Sequence, residues 1–279
     1  MSSSASPSLE HTVNLPDGAA LRVLDDGIGP ALLLISGLGG TANFWNPCIP
    51  AFSAHYRTLR LDQRGIAKSS RGSAPCTIDQ LAQDCLAVLD ACDIEDAIIV
   101  GHSTGGCIAQ TMALLAPNRV RACVLSATWG RPSRHRKELF STRREMLFRD
   151  PVGYACSSVF MGHDANWLNN NWSVLENARS NAPVTPEAQR IVAERLDALI
   201  AFDRSADIHH IAVPKLILGA RDDLIVPSFL QEELATLFKD AELHLFEQGG
   251  HFFPVTRTHL FIPLVTEWLH KHCSRNPHA

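Results

Sequence analysis

The chain has 279 residues, 46% hydrophobic and 19% charged, enough for a sizeable core and too apolar for global disorder. Its 25 basic and 29 acidic residues give a formal charge of −4, which argues against the basic footprint of a nucleic-acid binder. No apolar run reaches the ~18–20 residues of a membrane span, so a soluble protein without membrane contact is expected.

Residues 1–9, opening on MSSSASPS, have neither the cationic nor the apolar region of a secretory signal and read as a disordered tail. Glu10–Leu15 and Ala19–Asp26 flank the turn Pro16-Asp17-Gly18, which predicts a hairpin. Short, nearly unbroken apolar runs follow at Ala31–Ser36, Thr58–Asp62, Ala97–Val100, Ala122–Ala127, Lys215–Gly219 and Glu242–Phe246. Most have no polar face, as in strands buried on both sides of a parallel sheet. Helical patterns alternate with them. Thr77-Ile78-Asp79-Gln80 reads as a capping box before the stripe Leu81, Cys85, Val88, Leu89, and Ser228–Gln231 reads as a second box. Leu260–His272 closes the chain as a helix. The pattern predicts an α/β fold with a mainly parallel sheet and an antiparallel start.

From Gly130 to Ile211 the rhythm breaks, with several helical patterns and no strand-like run. The expected organisation is a core over 10–129 and 212–274, with a helical lid over 130–211 above the carboxyl edge of the sheet. The eight cysteines form no Cys-x-x-Cys pair, so neither a zinc framework nor a disulfide scaffold is expected, and a reducing cytoplasm fits best.

Gly101-His102-Ser103-Thr104-Gly105 lies directly between a buried strand and a helical stretch. A strand that turns at once into a helix strains its middle residue and needs small neighbours, which makes Ser103 a candidate nucleophile at a helix N-terminus. The glycine-rich Ser36-Gly37-Leu38-Gly39-Gly40 follows another strand, and the N–H groups of Leu38 and Thr104 are the candidate oxyanion donors. This loop lacks the Lys-Ser/Thr of a phosphate-binding loop and the spacing of a dinucleotide fingerprint. Among thirteen histidines, His251 follows the last strand in Gly249-Gly250-His251 and is the candidate base. His102 is expected to point away from the reacting face. The orienting acid belongs after the preceding strand, where Asp222 and Asp223 both stand.

These residues resemble the α/β-hydrolase fold family from end to end of the chain, the tail excepted: Leu33–Gly40, Asp62-Gln63-Arg64-Gly65, the turn at Ser103, Asp223 four residues before Pro227, and Gly250-His251. More narrowly, the chain is similar to the branch containing the aminoacrylate hydrolase of pyrimidine degradation and the 3-oxoadipate enol-lactonases. The resemblance implies an eight-stranded sheet, chain order Ser, Asp, His, and Asp223 as the acid with Asp222 as fallback. It implies no cofactor and no metal. Two departures stand out. Ser36 replaces the histidine of many relatives, so that if that histidine supports the oxyanion loop, Ser36 does so differently or the substrate differs, and Ala67 replaces a glycine after Arg64-Gly65.

The implied activity is hydrolysis of a small carboxylic ester, lactone or activated amide through an acyl-enzyme, with a small molecule as substrate and neither nucleic acid nor membrane as partner. C–C bond hydrolysis, peroxide-dependent oxidation and a non-catalytic ligand receptor are the alternatives. Trp45, Trp129, Trp167 and Trp172 are candidate pocket residues, and Arg131, Arg134, Arg136 and Lys137 a candidate clamp for an anionic substrate.

Overall fold

The computed structural model describes residues 8–273. The tail expected over 1–9 lies, as far as Pro7, outside these residues, whereas Leu9 already opens the first strand. Strands β1 (Leu9–Asn14), β2 (Ala20–Asp26), β3 (Ala31–Ile35), β4 (Arg57–Leu61), β5 (Ala97–His102), β6 (Val120–Ser126), β7 (Lys215–Ala220) and β8 (Glu242–Phe246) form one sheet. Their order is β1-β2-β4-β3-β5-β6-β7-β8. The β1–β2 and β2–β4 pairs are antiparallel, and every later pair is parallel. This is the mixed α/β sheet that the apolar runs predict.

Strand alternation divides the buried side chains between two cores. Leu33, Ile35, Ile99, Leu125 and Ile217 face one side, while Leu32, Leu34, Ile98, Val100, Val124 and Leu218 face the other. β8 differs, because as an edge strand it leaves Glu242, Leu243 and His244 exposed.

The helices follow in chain order. α1 (Ile49–Phe52) and α2 (Ile78–Ala91) lie before β5, and α3 (Thr104–Leu115) follows it at once. Thr77 Oγ1 caps α2 by accepting the Gln80 N–H at 3.0 Å. Between β6 and β7 run α4 (Arg134–Arg149), α5 (Pro151–Gly162), α6 (Ala165–Asn170), α7 (Ser173–Ser180) and α8 (Pro186–Ala201). α9 (Phe229–Leu237) precedes β8, and α10 (Phe253–Thr256) and α11 (Thr258–Cys273) close the described chain. The second capping box does not form. Ser228 already has helical angles, φ −56° and ψ −27°, and a side-chain cap needs an extended residue there. All eight cysteines are free thiols.

One buried ion pair holds the segment after β4 in place. Arg64, with a fully buried side chain, makes a bidentate pair with Asp84 of α2 at 2.8 and 2.7 Å and also reaches Asp17 in the hairpin turn. Burial raises the Asp17 carboxyl, but Arg64 and the N–H groups of Ala74 and Ala19 outweigh it and hold the pKa at about 2. Removing one partner of such a pair strands a buried charge. Asp84→Asn is therefore expected to lower stability by about 3 kcal/mol in urea denaturation. A depressed carboxyl stabilises the fold above its unfolded pKa of 3.8, and that contribution disappears as pH falls through about 2. The stability gap between the wild type and Asp17→Asn is expected to close over that window.

Candidate active site

The transition from β5 to α3 takes one residue. Ser103 has φ +55° and ψ −119°, a strained conformation for a side chain with a Cβ. Its neighbours explain how the chain bears this. A Cβ on Gly105 would lie 2.2 Å from the Ile35 carbonyl oxygen, and one on Gly101 would lie 2.2 Å from that of Gly105. Only glycine allows β3, β5 and α3 to approach so closely. The Ser103 N–H donates to the Ser126 carbonyl at 2.7 Å, and the Ser103 carbonyl accepts from Gly106 N–H at 2.9 Å. The serine side chain opens into a cavity of about 430 Å³. Cys107, one turn along α3, is no rival nucleophile, since burial pushes its thiol up to about 12.

His251 lines the same cavity, on the loop after β8. Its Nδ1–H donates to Asp223 Oδ2 at 2.8 Å, leaving Nε2 as the nitrogen not engaged by that carboxylate. The other oxygen of Asp223 accepts the N–H groups of Ile225 and Val226 at 2.8 and 2.9 Å. Three hydrogen bonds thus fix a carboxylate buried with its histidine. The adjacent Asp222 accepts instead from Gly249 and Gly250 N–H at 3.0 and 2.9 Å, shaping the loop that carries His251. Gly250, at φ +64°, packs so tightly on the Gly162 carbonyl that a Cβ would come within 2.7 Å. Through this contact the helices between β6 and β7 touch the histidine loop, reinforced by Phe252 N–H on the Gly162 carbonyl and by the Arg257–Asp164 pair.

Leu38 and Thr104 line the cavity beside Ser103. The Thr104 N–H opens α3, where helix donors have no intrahelical acceptor. A Cβ on Gly37 would stand 3.1 Å from Ser103 Cβ, so the glycine loop lies directly against the serine. Arg195 of α8 reaches this loop, donating through Nε to the Leu38 carbonyl at 2.9 Å. A serine beside a carboxylate-oriented imidazole and two candidate N–H donors can carry out acyl transfer.

The tryptophans lie elsewhere. Trp45 and Trp129 are wholly buried: Trp45 packs on Phe44 and Phe261, and Trp129 lies under the Arg136 guanidinium. Trp167 stacks on His163, and Trp172 is half exposed beside Phe160. None of the four lines the cavity; Phe44, Phe140, Tyr154, Phe252, Val192 and Leu199 do. The indoles of Trp45 and Trp129 fill the layer behind, where more surface can be buried. His102 shares the sheet face of Val100; its ring is buried, stacked on Phe44 and 4.9 Å from the His251 ring, with Nδ1 3.0 Å from Ser126 Oγ. Burial, with His251 nearby, holds its pKa well below the ordinary histidine value, so it stays uncharged at neutral pH.

The proposed arginine clamp is likewise absent. Arg131 pairs with Glu233, and Arg136 donates to the Leu199 carbonyl. The cation on the cavity wall is Arg143 of α4, buried, bonded to Ser157 Oγ, Ser158 Oγ and the Tyr154 carbonyl, and stacked over the Tyr154 ring. Neither it nor Arg195 shows in sequence, because each sits in an ordinary polar helix pattern and gains its role from distant partners. Among the described residues no cluster of three His, Cys, Asp or Glu side chains is arranged to hold a metal ion.

The profile of the alpha/beta hydrolase fold family matches residues 30–258. A protein of Azorhizobium caulinodans that carries the name carbamate hydrolase RutD is 32% identical over 236 residues, covering 84% of this chain and 89% of its own. Its namesake in Variovorax paradoxus is 33% identical over 244 residues, covering 86% and 92%. Among solved structures, a hydrolase from Pseudomonas aeruginosa superposes with a TM-score of 0.83 at 26% identity, covering 93% of this chain and 98% of that one. The enol-lactonase from Burkholderia xenovorans superposes at 0.81 and 25%, covering 90% and 96%. With this sheet order, this turn at Ser103 and these relatives, the chain belongs to the α/β-hydrolase fold family and is a hydrolase.

Proposed function

We propose that the chain is a serine hydrolase that cleaves a small carboxylic ester, lactone or activated amide, a carbamate among them, through an acyl-enzyme. One observation carries this reading: Ser103 and His251 open onto a single cavity, and His251 is held by Asp223 at 2.8 Å. His251 Nε2 takes the Ser103 proton as Oγ attacks the carbonyl carbon. Asp223 keeps the imidazole in the tautomer that accepts at Nε2 and stabilises the imidazolium formed. The N–H groups of Leu38 and Thr104 receive the developing oxyanion. His251 then protonates the leaving group, and water, deprotonated by the same nitrogen, releases the acid.

The helices over 130–211 act as a lid. Phe140, Tyr154, Val192 and Leu199 from α4, α5 and α8 roof the cavity, so substrate size is set there and chemistry in the core. The apolar walls and volume suit a small molecule. Free thiols throughout agree with a reducing cytoplasm, and no helix among the described residues is long and apolar enough to cross a membrane.

Three variants test the assignment. Ser103→Ala should abolish labelling by a fluorophosphonate and reduce hydrolysis by several orders of magnitude; labelling that survives moves the nucleophile elsewhere. Asp223→Asn should cost ~10⁴ in kcat, the scale seen when a triad acid is neutralised. Asp222→Asn should cost much less, because it loosens two backbone bonds of the histidine loop without uncoupling the imidazole. Turnover of esters and lactones against vinylogous diketones separates acyl transfer from C–C cleavage.

A further inference from the structure

From the contacts of Arg195 we infer that this side chain, supplied by the lid helix α8, is a positioning residue for the oxyanion loop. The inference rests on the hydrolase reading above and adds a residue to its machinery. Arg195 is fully buried and reaches back 157 positions in sequence. Three carbonyls in a row, those of Ser36, Gly37 and Leu38, each accept a hydrogen bond. Gln63 Nε2 donates to Ser36 O at 2.7 Å, Gly40 N–H to Gly37 O at 3.0 Å, and Arg195 Nε to Leu38 O at 2.9 Å. Arg195 Nη2 binds Gln63 Oε1 at 2.6 Å and lies 3.4 Å from Gly37 O, so one guanidinium joins all three supports.

The geometry of the amide explains the effect. Gly37 C=O and Leu38 N–H belong to the same trans peptide, in which the two groups point in opposite directions. Holding the carbonyl from behind aims the N–H forward. A cation beside that oxygen also polarises the amide and makes its N–H a stronger donor to an anion. Lysine cannot substitute, because a compact ammonium lacks the planar fork that reaches carbonyls and an amide oxygen together. A purely structural role explains this side chain less well. Arg195 has no carboxylate partner among the described residues, and its Nη1 is buried without a hydrogen bond, an expensive way merely to pack a helix.

The test compares Arg195→Lys and Arg195→Ala with Glu194→Gln, which removes the neighbouring ion pair to Arg71 from the same helix without touching the loop. With a neutral ester substrate, both Arg195 variants should lose about 10–100-fold in kcat with KM within about threefold, as expected for interactions realised only in the transition state. Phosphonylation of Ser103 should slow in parallel, and added guanidinium should restore part of the kcat of Arg195→Ala. Glu194→Gln should keep kcat within about twofold. The inference is overturned if Arg195→Lys retains wild-type kcat, if the loss appears in KM alone, or if guanidinium rescues nothing in a variant with native circular dichroism. Should Arg195→Ala fail to fold, the Lys variant alone decides. Activity persisting in Ser103→Ala would instead defeat the serine-hydrolase reading itself, so the two failures are distinguishable.

Discussion

A strand that becomes a helix within one residue, at φ +55° on Ser103, tolerates nothing larger than hydrogen at positions 101 and 105, and the centre of the molecule is built around that limit. Strain of this kind costs on the order of 1–3 kcal/mol and persists only where the surroundings overdetermine it. They do so here. β5 is buried along its whole length between β3 and β6, and α3 is covered over most of its surface. The Ser103 N–H is tied to Ser126 in the neighbouring strand. The sheet therefore has to be parallel and two-sided at this point, because a solvated face would let the turn relax.

Around that fixed point, precision comes from backbone groups held by buried side chains. Asp223 gives one oxygen to two N–H groups and the other to His251, so the imidazole is oriented by a carboxylate that cannot rotate freely. Asp222, next in sequence, gives both oxygens to the loop that carries the histidine. The glycine loop is held by its carbonyls in the same manner. All of these loops leave the carboxyl ends of parallel strands, where the sheet presents its connections to one another.

The helices between β6 and β7 belong to this arrangement in two ways. They contribute residues that line the cavity, and they also touch the loops around it: Gly162 on Gly250 and Phe252, Asp164 on Arg257, Arg195 on the glycine loop. These contacts join the helices between β6 and β7 to loops that surround Ser103.

Sequence by itself determined the order of strands and helices, because apolar runs and capping residues report local burial and local hydrogen bonds. It also determined the serine at the turn, because Gly-x-Ser-x-Gly between a strand and a helix admits few structures, and it placed a histidine and two adjacent aspartates after the right strands. Periodicity said nothing about which of Asp222 and Asp223 meets His251, since neighbouring residues on a loop differ only in direction. Nor did it separate rings that line a cavity from rings that pack behind one: Trp45 and Trp129 vanish into the core while Phe44 and Phe140 line the cavity. Nor did it show that the buried His102 ring lies 4.9 Å from that of His251, a contact made only when the histidine loop folds over its sheet face. Arg143 and Arg195 were invisible for the same reason. A buried cation acquires its function from partners far away in the chain, and only the tertiary structure brings those partners within hydrogen-bonding distance.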